Sequence, residues 1–170
     1  MVARPDSAEG GPLPRPRLQI LWPWAVACAV LLLDQLSKAW AVTALAPGQI
    51  QPLLPGLLQL QRVANSGAAF SLLSGNSGAL GLVSGLVSLA VALWLLRRPP
   101  RSRWLRLGLA LVLAGALGNG IDRWRLGWVI DFLDLVPIHF PIFNLADVAI
   151  NAAVLCFLID SWPQRPPRRG

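Results

Sequence analysis

Histidine occurs once in this chain, at His139, and cysteine twice, at Cys28 and Cys156. There is no His-Glu-x-x-His run and no closely spaced cysteine pair, so the ligand spacing of a zinc hydrolase is missing. Both cysteines fall inside long apolar stretches and read as free thiols. Acids are scarce as well: eight in 170 residues, two of them near the N-terminus. No charge of either sign falls between Arg62 and Arg97.

What fills the chain instead is hydrocarbon. Hydrophobic residues make up 55%, and the mean hydropathy is +0.55. Four stretches, about 20–44, 76–96, 104–121 and 144–162, meet the ~20-residue requirement for crossing a bilayer, for which ~17 is the lower limit. The fourth carries Asp147 and Asp160 near its ends. Residues 1–19 and 163–170 are rich in Pro and Arg and read as disordered tails around one domain, 20–162. No internal repeat is visible. The basic start, apolar run and Ala44-Leu45-Ala46 imitate a secretory signal. Pro47 directly after it, and Asp34 and Lys38 inside it, point to an uncleaved first helix.

A net charge of +7 raises the question of nucleic acid, and its placement argues against it. Eleven of the fifteen basic residues precede the first stretch, lie between the second and third or at the very start of the third, or follow the fourth. Positive loops stay cytoplasmic, so both termini are expected inside and the other two connections outside. Trp22, Trp24, Trp94, Trp104 and Trp162 fall at the inner ends, and Trp40, Trp124 and Trp128 near the outer interface, as aromatic belts do.

The first outer connection, 46–75, carries turn signals at Pro47-Gly48 and Pro55-Gly56. Leu58 to Val63 alternates like a half-buried strand. The segment Asn65-Ser66-Gly67-Ala68-Ala69-Phe70-Ser71 is made largely of small residues, where backbone approaches a ligand closely. A short sheet on the outer membrane surface and a plain loop both fit. The second outer connection, 122–143, contains a short extended run at Val129-Ile130-Asp131-Phe132-Leu133.

Carboxylates beside membrane segments are costly and usually functional. Asp34 and Lys38 are four apart on a helix, share a face, and read as a structural ion pair. Asn144 and Asp147 form Asn-x-x-Asp at a helix start, a capping arrangement that also favours an ionised Asp147. Asp131 stands among bulky apolar residues. It is either buried, which favours the neutral acid, or an exposed loop residue like Asp134. Two such acids suggest a dyad sharing one proton, as in aspartic proteases. Asn119, Asp122 and Arg123 close the third stretch; Arg123 either binds substrate carbonyls or pairs with Asp122. Ser84 and His139 are raw material for a serine protease, but Ser84 reads better as small-residue helix packing. Ser37 and Lys38, as helix neighbours, point about 100° apart.

Five motifs in order carry a resemblance: Asp34-Gln35-Leu36-Ser37-Lys38, Asn65 to Ser71, Gly118-Asn119-Gly120-Ile121-Asp122-Arg123, Val129-Ile130-Asp131-Phe132, and Phe143-Asn144-Leu145-Ala146-Asp147. Over residues 20–162 the chain resembles the lipoprotein signal peptidases, also called signal peptidase II. The resemblance implies an all-α membrane protein with four transmembrane helices, a small extracytoplasmic β-sheet cradle and both termini cytoplasmic. It implies a bacterial inner-membrane aspartic endopeptidase that cuts prolipoproteins just before a diacylglyceryl-modified cysteine and is inhibited by globomycin. The catalytic pair would be Asp131 and Asp147. Substrate-binding or supporting roles would fall to Asp34, Lys38, Asn65, Gly67, Asn119, Asp122, Arg123 and Asn144. Partners would be prolipoproteins and membrane lipids, with no nucleic acid, metal or cofactor, and a monomer is expected.

Two other classes compete. A small proton-coupled transporter or channel would use intramembrane carboxylates, but it expects them near the bilayer midplane. A non-catalytic tetraspan assembly protein leaves the two acids and Arg123 without a purpose.

Overall fold

Three long helices frame the structure: α1 (Leu18–Ala44), α2 (Ser77–Arg97) and α3 (Arg103–Leu126). In the computed structural model, which describes residues 18–67, 76–138 and 140–162, all three are long and apolar enough to cross a membrane. A fourth helix, α4 (Leu145–Ser161), has 17 residues. Most of both expected tails, residues 68–71 of the small-residue segment, and His139 lie outside the described residues.

Helix α3 lies at the centre, packed against α1, α2 and α4. Its glycines make the close approach possible. A Cβ on Gly115 would stand 2.6 Å from the Ala146 carbonyl oxygen of α4, and one on Gly118 would stand 2.5 Å from Asp34 Oδ2 of α1. Away from the sheet, Ala27 of α1, Val91 and Leu95 of α2, and Leu109, Ala110 and Leu113 of α3 form a small apolar core.

The expected end of α3 at residue 121 is five residues short. The helix continues to Leu126, where Gly127 caps it in the left-handed conformation, φ 83°, and donates its N–H to the Arg123 carbonyl. Glycine adopts that conformation without a Cβ penalty. Asp122 and Arg123 therefore lie in the helix that they were expected to close, and the second connection begins after Leu126 and not at 122.

The alternating pattern does become a strand. Strands β1 (Ile50–Leu54), β2 (Leu58–Asn65) and β3 (Val129–Leu135) form an antiparallel sheet in that order. Leu60 pairs with Leu133 and Val63 with Asp131, so two residues of β2 face one of β3 between them. This bulge shifts the phase of β2 by one residue. Without it Ala64 would be the diagonal neighbour of Asp131; with it the neighbour is Asn65. Arg62, within the bulge, donates to the Val42 carbonyl of α1.

Ala41 and Leu45 at the end of α1 pack with Leu60 and Phe132, which seats the sheet on the helices. After β3, a 3-10 turn at Val136–Ile138 sends the chain back. Leu133 and Phe143 then exchange both backbone hydrogen bonds, at 2.8 and 2.9 Å. That bridge holds Asn144, the first residue after Phe143, beside the strand that carries Asp131.

Candidate active site

Asn144 begins α4 as its N-cap. Its Oδ1 accepts from Asp147 N at 3.1 Å, and Asp147 Oδ2 accepts from Asn144 N at 3.1 Å. This reciprocal capping box satisfies first-turn donors and fixes both side chains. Because Asn144 Oδ1 is committed to the cap, its Nδ2 must point elsewhere. It donates to Asp131 Oδ1 at 2.6 Å and to Asn119 Oδ1 at 3.0 Å.

Asn119 is oriented by the same logic. Lys38 has only donors, and its Nζ lies 3.0 Å from Asn119 Oδ1. The Asn119 amide nitrogen therefore faces the other way and donates to Asp147 Oδ1 at 2.8 Å. Asn65 completes the set: its Oδ1 accepts from Gly67 N at 3.0 Å, and its Nδ2 donates to Asp131 Oδ2 at 2.8 Å. Each of the four oxygens on Asp131 and Asp147 thus accepts one hydrogen bond from a neutral amide.

Asp131 is only 2% exposed, so it is not a loop residue in solvent. Burial pushes its carboxyl from the ordinary 3.8 up to about 6. The Asn65 hydrogen bond opposes the shift, the Asp147 charge adds to it, and the Asn144 bond and the Lys38 charge oppose it. Asp147 is half-buried, so the pair is approached from its side.

Behind the pair lies an ionic cluster. Lys38 Nζ is 3.0 Å from Asp34 Oδ2 and 2.9 Å from Asp122 Oδ2, with all three side chains almost fully buried. The Asp34–Lys38 pair expected from helical spacing is present, and it also joins α1 to α3. Asp34 Oδ1 accepts from Ala146 N of α4 at 2.9 Å, and Asp122 Oδ2 accepts from Ile130 N at 3.3 Å. The alternative pairing of Arg123 with Asp122 does not occur. Consecutive helical residues point apart, so Asp122 turns inward to Lys38. Arg123 donates through Nη2 to the Gly67 carbonyl at 3.1 Å, and its buried Nε has no hydrogen-bond partner among the described residues.

Gln35 escaped the sequence reading although it stands between Asp34 and Lys38. Its Nε2 lies 3.2 Å from each of Asp34 Oδ2, the Gly118 carbonyl and Asp122 Oδ1. An amide has two protons for these three acceptors. The available signal was a third polar residue beside the pair in an apolar helix. Ser84 behaves as packing: its Cβ lies 3.1 Å from where a Cβ on Gly120 would stand.

Two carboxylates joined through shared amides, in a protein of membrane-length helices, fit the class of membrane aspartic peptidases. The comparisons with known proteins agree. A family model described as signal peptidase (SPase) II matches residues 26–163, and the chain belongs to that family. A lipoprotein signal peptidase of Parasynechococcus marenigrum is 54% identical over 144 residues, covering 85% of this chain and 91% of the relative. One from a Synechococcus species is 55% identical over 145 residues, covering 85% and 96%. A solved bacterial membrane enzyme superposes with a TM-score of 0.78 at 26% identity, covering 86% of this chain and 94% of the other. The protein is accordingly a peptidase.

Removing the cation tests the cluster. Lys38→Met would leave Asp34 and Asp122 buried without a counter-ion. It is expected to destabilise the fold by about 3–5 kcal/mol, the usual cost of breaking a buried pair. Thermal unfolding in detergent should show this, with part of the loss recovered when Asp122→Asn is added. A loss below about 1 kcal/mol, the scale of an exposed pair, would contradict the account.

Proposed function

We propose that this peptidase removes the signal peptide of prolipoproteins, cutting just before a cysteine that carries a diacylglyceryl group, with Asp131 and Asp147 as its catalytic pair. The observation that carries the reading is the convergence of the two carboxylates on Asn144, which hydrogen-bonds to both. The naming of the relatives as lipoprotein signal peptidases supports the substrate class.

Chemistry follows from one shared proton. Asp147, at a helix N-terminus, is the ionised acid; Asp131, more deeply buried, is the neutral one. A water between them gives a proton to Asp147 as its oxygen bonds to the scissile carbonyl carbon. The Asp131 proton passes to the carbonyl oxygen, leaving a neutral gem-diol. On collapse the C–N bond breaks, the leaving nitrogen takes the proton from Asp147, and one gem-diol proton returns to Asp131. The cycle uses water and two acids, with no metal or cofactor. Asn65, Asn119 and Asn144 hold the acids; Asp34, Lys38 and Asp122 hold the asparagines and helices. Gly67 and Arg123 border the approach of the extended peptide.

In this reading all four helices span the bacterial inner membrane, both termini are cytoplasmic, and the sheet and acids face the extracytoplasmic side. The placement of eleven of fifteen basic residues supports that orientation. The substrate is lipid-borne, the enzyme acts as a monomer among membrane lipids, and globomycin inhibits it. Nothing favours the transporter alternative: Asp131 stands in a strand and Asp147 in a first helical turn.

Asp131→Asn and Asp147→Asn are each expected to abolish cleavage of a lipid-modified prolipoprotein in a gel-shift assay, while the protein still folds and inserts. Substantial turnover by either purified variant would sink the catalytic assignment.

The pH dependence has a definite sign. Asp131 keeps its proton below about 6 and loses it above. In the free enzyme kcat/KM should therefore be bell-shaped, falling on the alkaline side as Asp131 ionises and on the acid side as its partner is protonated. The folded-state value lies above the ordinary 3.8. The stability that Asp131 contributes is thus fully present below that value and is lost as pH rises through about 6. A flat profile from pH 4 to 9 would be incompatible with a shared proton.

Reporters fused after Gly170 or within 97–106 should be cytoplasmic, and one within 46–60 external. An external C-terminal reporter would reverse the orientation.

A further inference from the structure

Asn151 is a polar side chain that the peptidase chemistry leaves unused. It sits on α4 one turn beyond Asp147 and is exposed, and its Nδ2 donates to the Asp147 carbonyl at 2.9 Å. That back-bond occupies one of its two amide protons. The second N–H and Oδ1 have no partner within this chain among the described residues.

Its surroundings make this unusual. The face of α4 formed by Ala146, Ala149, Ala153 and Cys156 is buried. The stripe below Asn151 is Val154, Leu155 and Leu158, all exposed and apolar. A half-satisfied amide on a lipid-facing stripe is costly. It also lies on the face that descends from Asp147, about 6 Å further along the helix axis.

We propose that Asn151 is a specificity-determining residue whose free N–H donates to an ester carbonyl of the substrate's diacylglyceryl group, while an acyl chain follows Leu155 and Leu158. The inference rests on the function proposed above. The scissile bond immediately precedes the modified cysteine. An ester carbonyl of the attached glyceryl group is six covalent bonds from that cysteine's Cα, about 7 Å when extended at ordinary bond lengths. That span matches the one-turn offset between Asp147 and Asn151. An ester offers only acceptors, so it needs a donor. A neutral amide supplies one without placing a charge in hydrocarbon.

The test pairs two substrates with three full-length enzymes in micelles. One peptide carries a diacylglyceryl cysteine; the other carries a dialkylglyceryl ether cysteine, which lacks both carbonyls. Wild type should show a KM about three- to tenfold lower for the diester, the range of one modest hydrogen bond. Asn151→Leu should raise KM for the diester by that factor, leave the diether unchanged and keep kcat. Asn151→Ala, a second good helix former, should behave alike and guards against a packing artefact of leucine. Equal losses on both substrates, or no loss on the diester, would overturn the proposal. If wild type cleaves neither peptide, the functional reading itself falls, and this inference with it.

Discussion

A buried ammonium with three protons and three acceptors organises the end of the bundle that carries the sheet. Lys38 reaches Asp34 on its own helix and Asn119 and Asp122 on α3. Taking ions out of water costs several kcal/mol each, offset only where geometry is good and the remaining groups are hydrogen-bonded. That condition is met by recruiting other elements. Asp34 also accepts from Ala146 N of α4, and Asp122 from Ile130 N of β3. Satisfying one cation therefore ties α1, α3, β3 and α4 together. The positions of Asp131 and Asp147 follow from the last two.

The same arrangement keeps positive charge one step away from the pair. A lysine or arginine in direct contact with Asp131 and Asp147 would favour ionising both and remove the proton that a dyad needs. Here Lys38 is largely neutralised by two carboxylates and touches the Asn119 oxygen, while the Asn119 nitrogen touches Asp147. Among the described residues the pair's hydrogen-bond partners are all amides, and the Arg123 guanidinium acts on it through charge alone. The amide hydrogen bonds favour the anion and burial favours the acid, and for Asp131 the balance falls at about 6. Both protonation states are then within reach near neutral pH.

What could be read from the sequence was what local chemistry determines. The long apolar helices, the alternating strand, the Asp34–Lys38 spacing and the Asn144 cap all depend on residues close in sequence. What could not be read depends on tertiary contact. Asp122 finds Lys38, not its neighbour Arg123, because packing decides which face of α3 points inward. The β2 bulge that turns Asn65 toward Asp131 has no sequence signature in the alternation of Leu58 to Val63. The apolar stretch stops at about 121, where the charges Asp122, Arg123 and Arg125 begin, but the helix runs on to its stop signal at Gly127. Gln35 was visible in its motif, but its three acceptors are distributed over two helices.

The glycines of α3 and the polar site answer one requirement. Lipid is as apolar as leucine, so helices in a bilayer associate through close packing and hydrogen bonds more than through a hydrophobic effect. Ala146 N can reach Asp34 only if the start of α4 lies nearly against α3. A side chain on Gly115 would meet the Ala146 carbonyl, and one on Gly118 would meet Asp34 itself. Their absence allows the hydrogen bond to form, and that bond holds the first turn of α4. The turn in turn aims Asn144 at Asp131 and fixes Asp147 through the capping box. Small residues near the middle of one helix thereby decide whether two carboxylates on other elements share a neighbour.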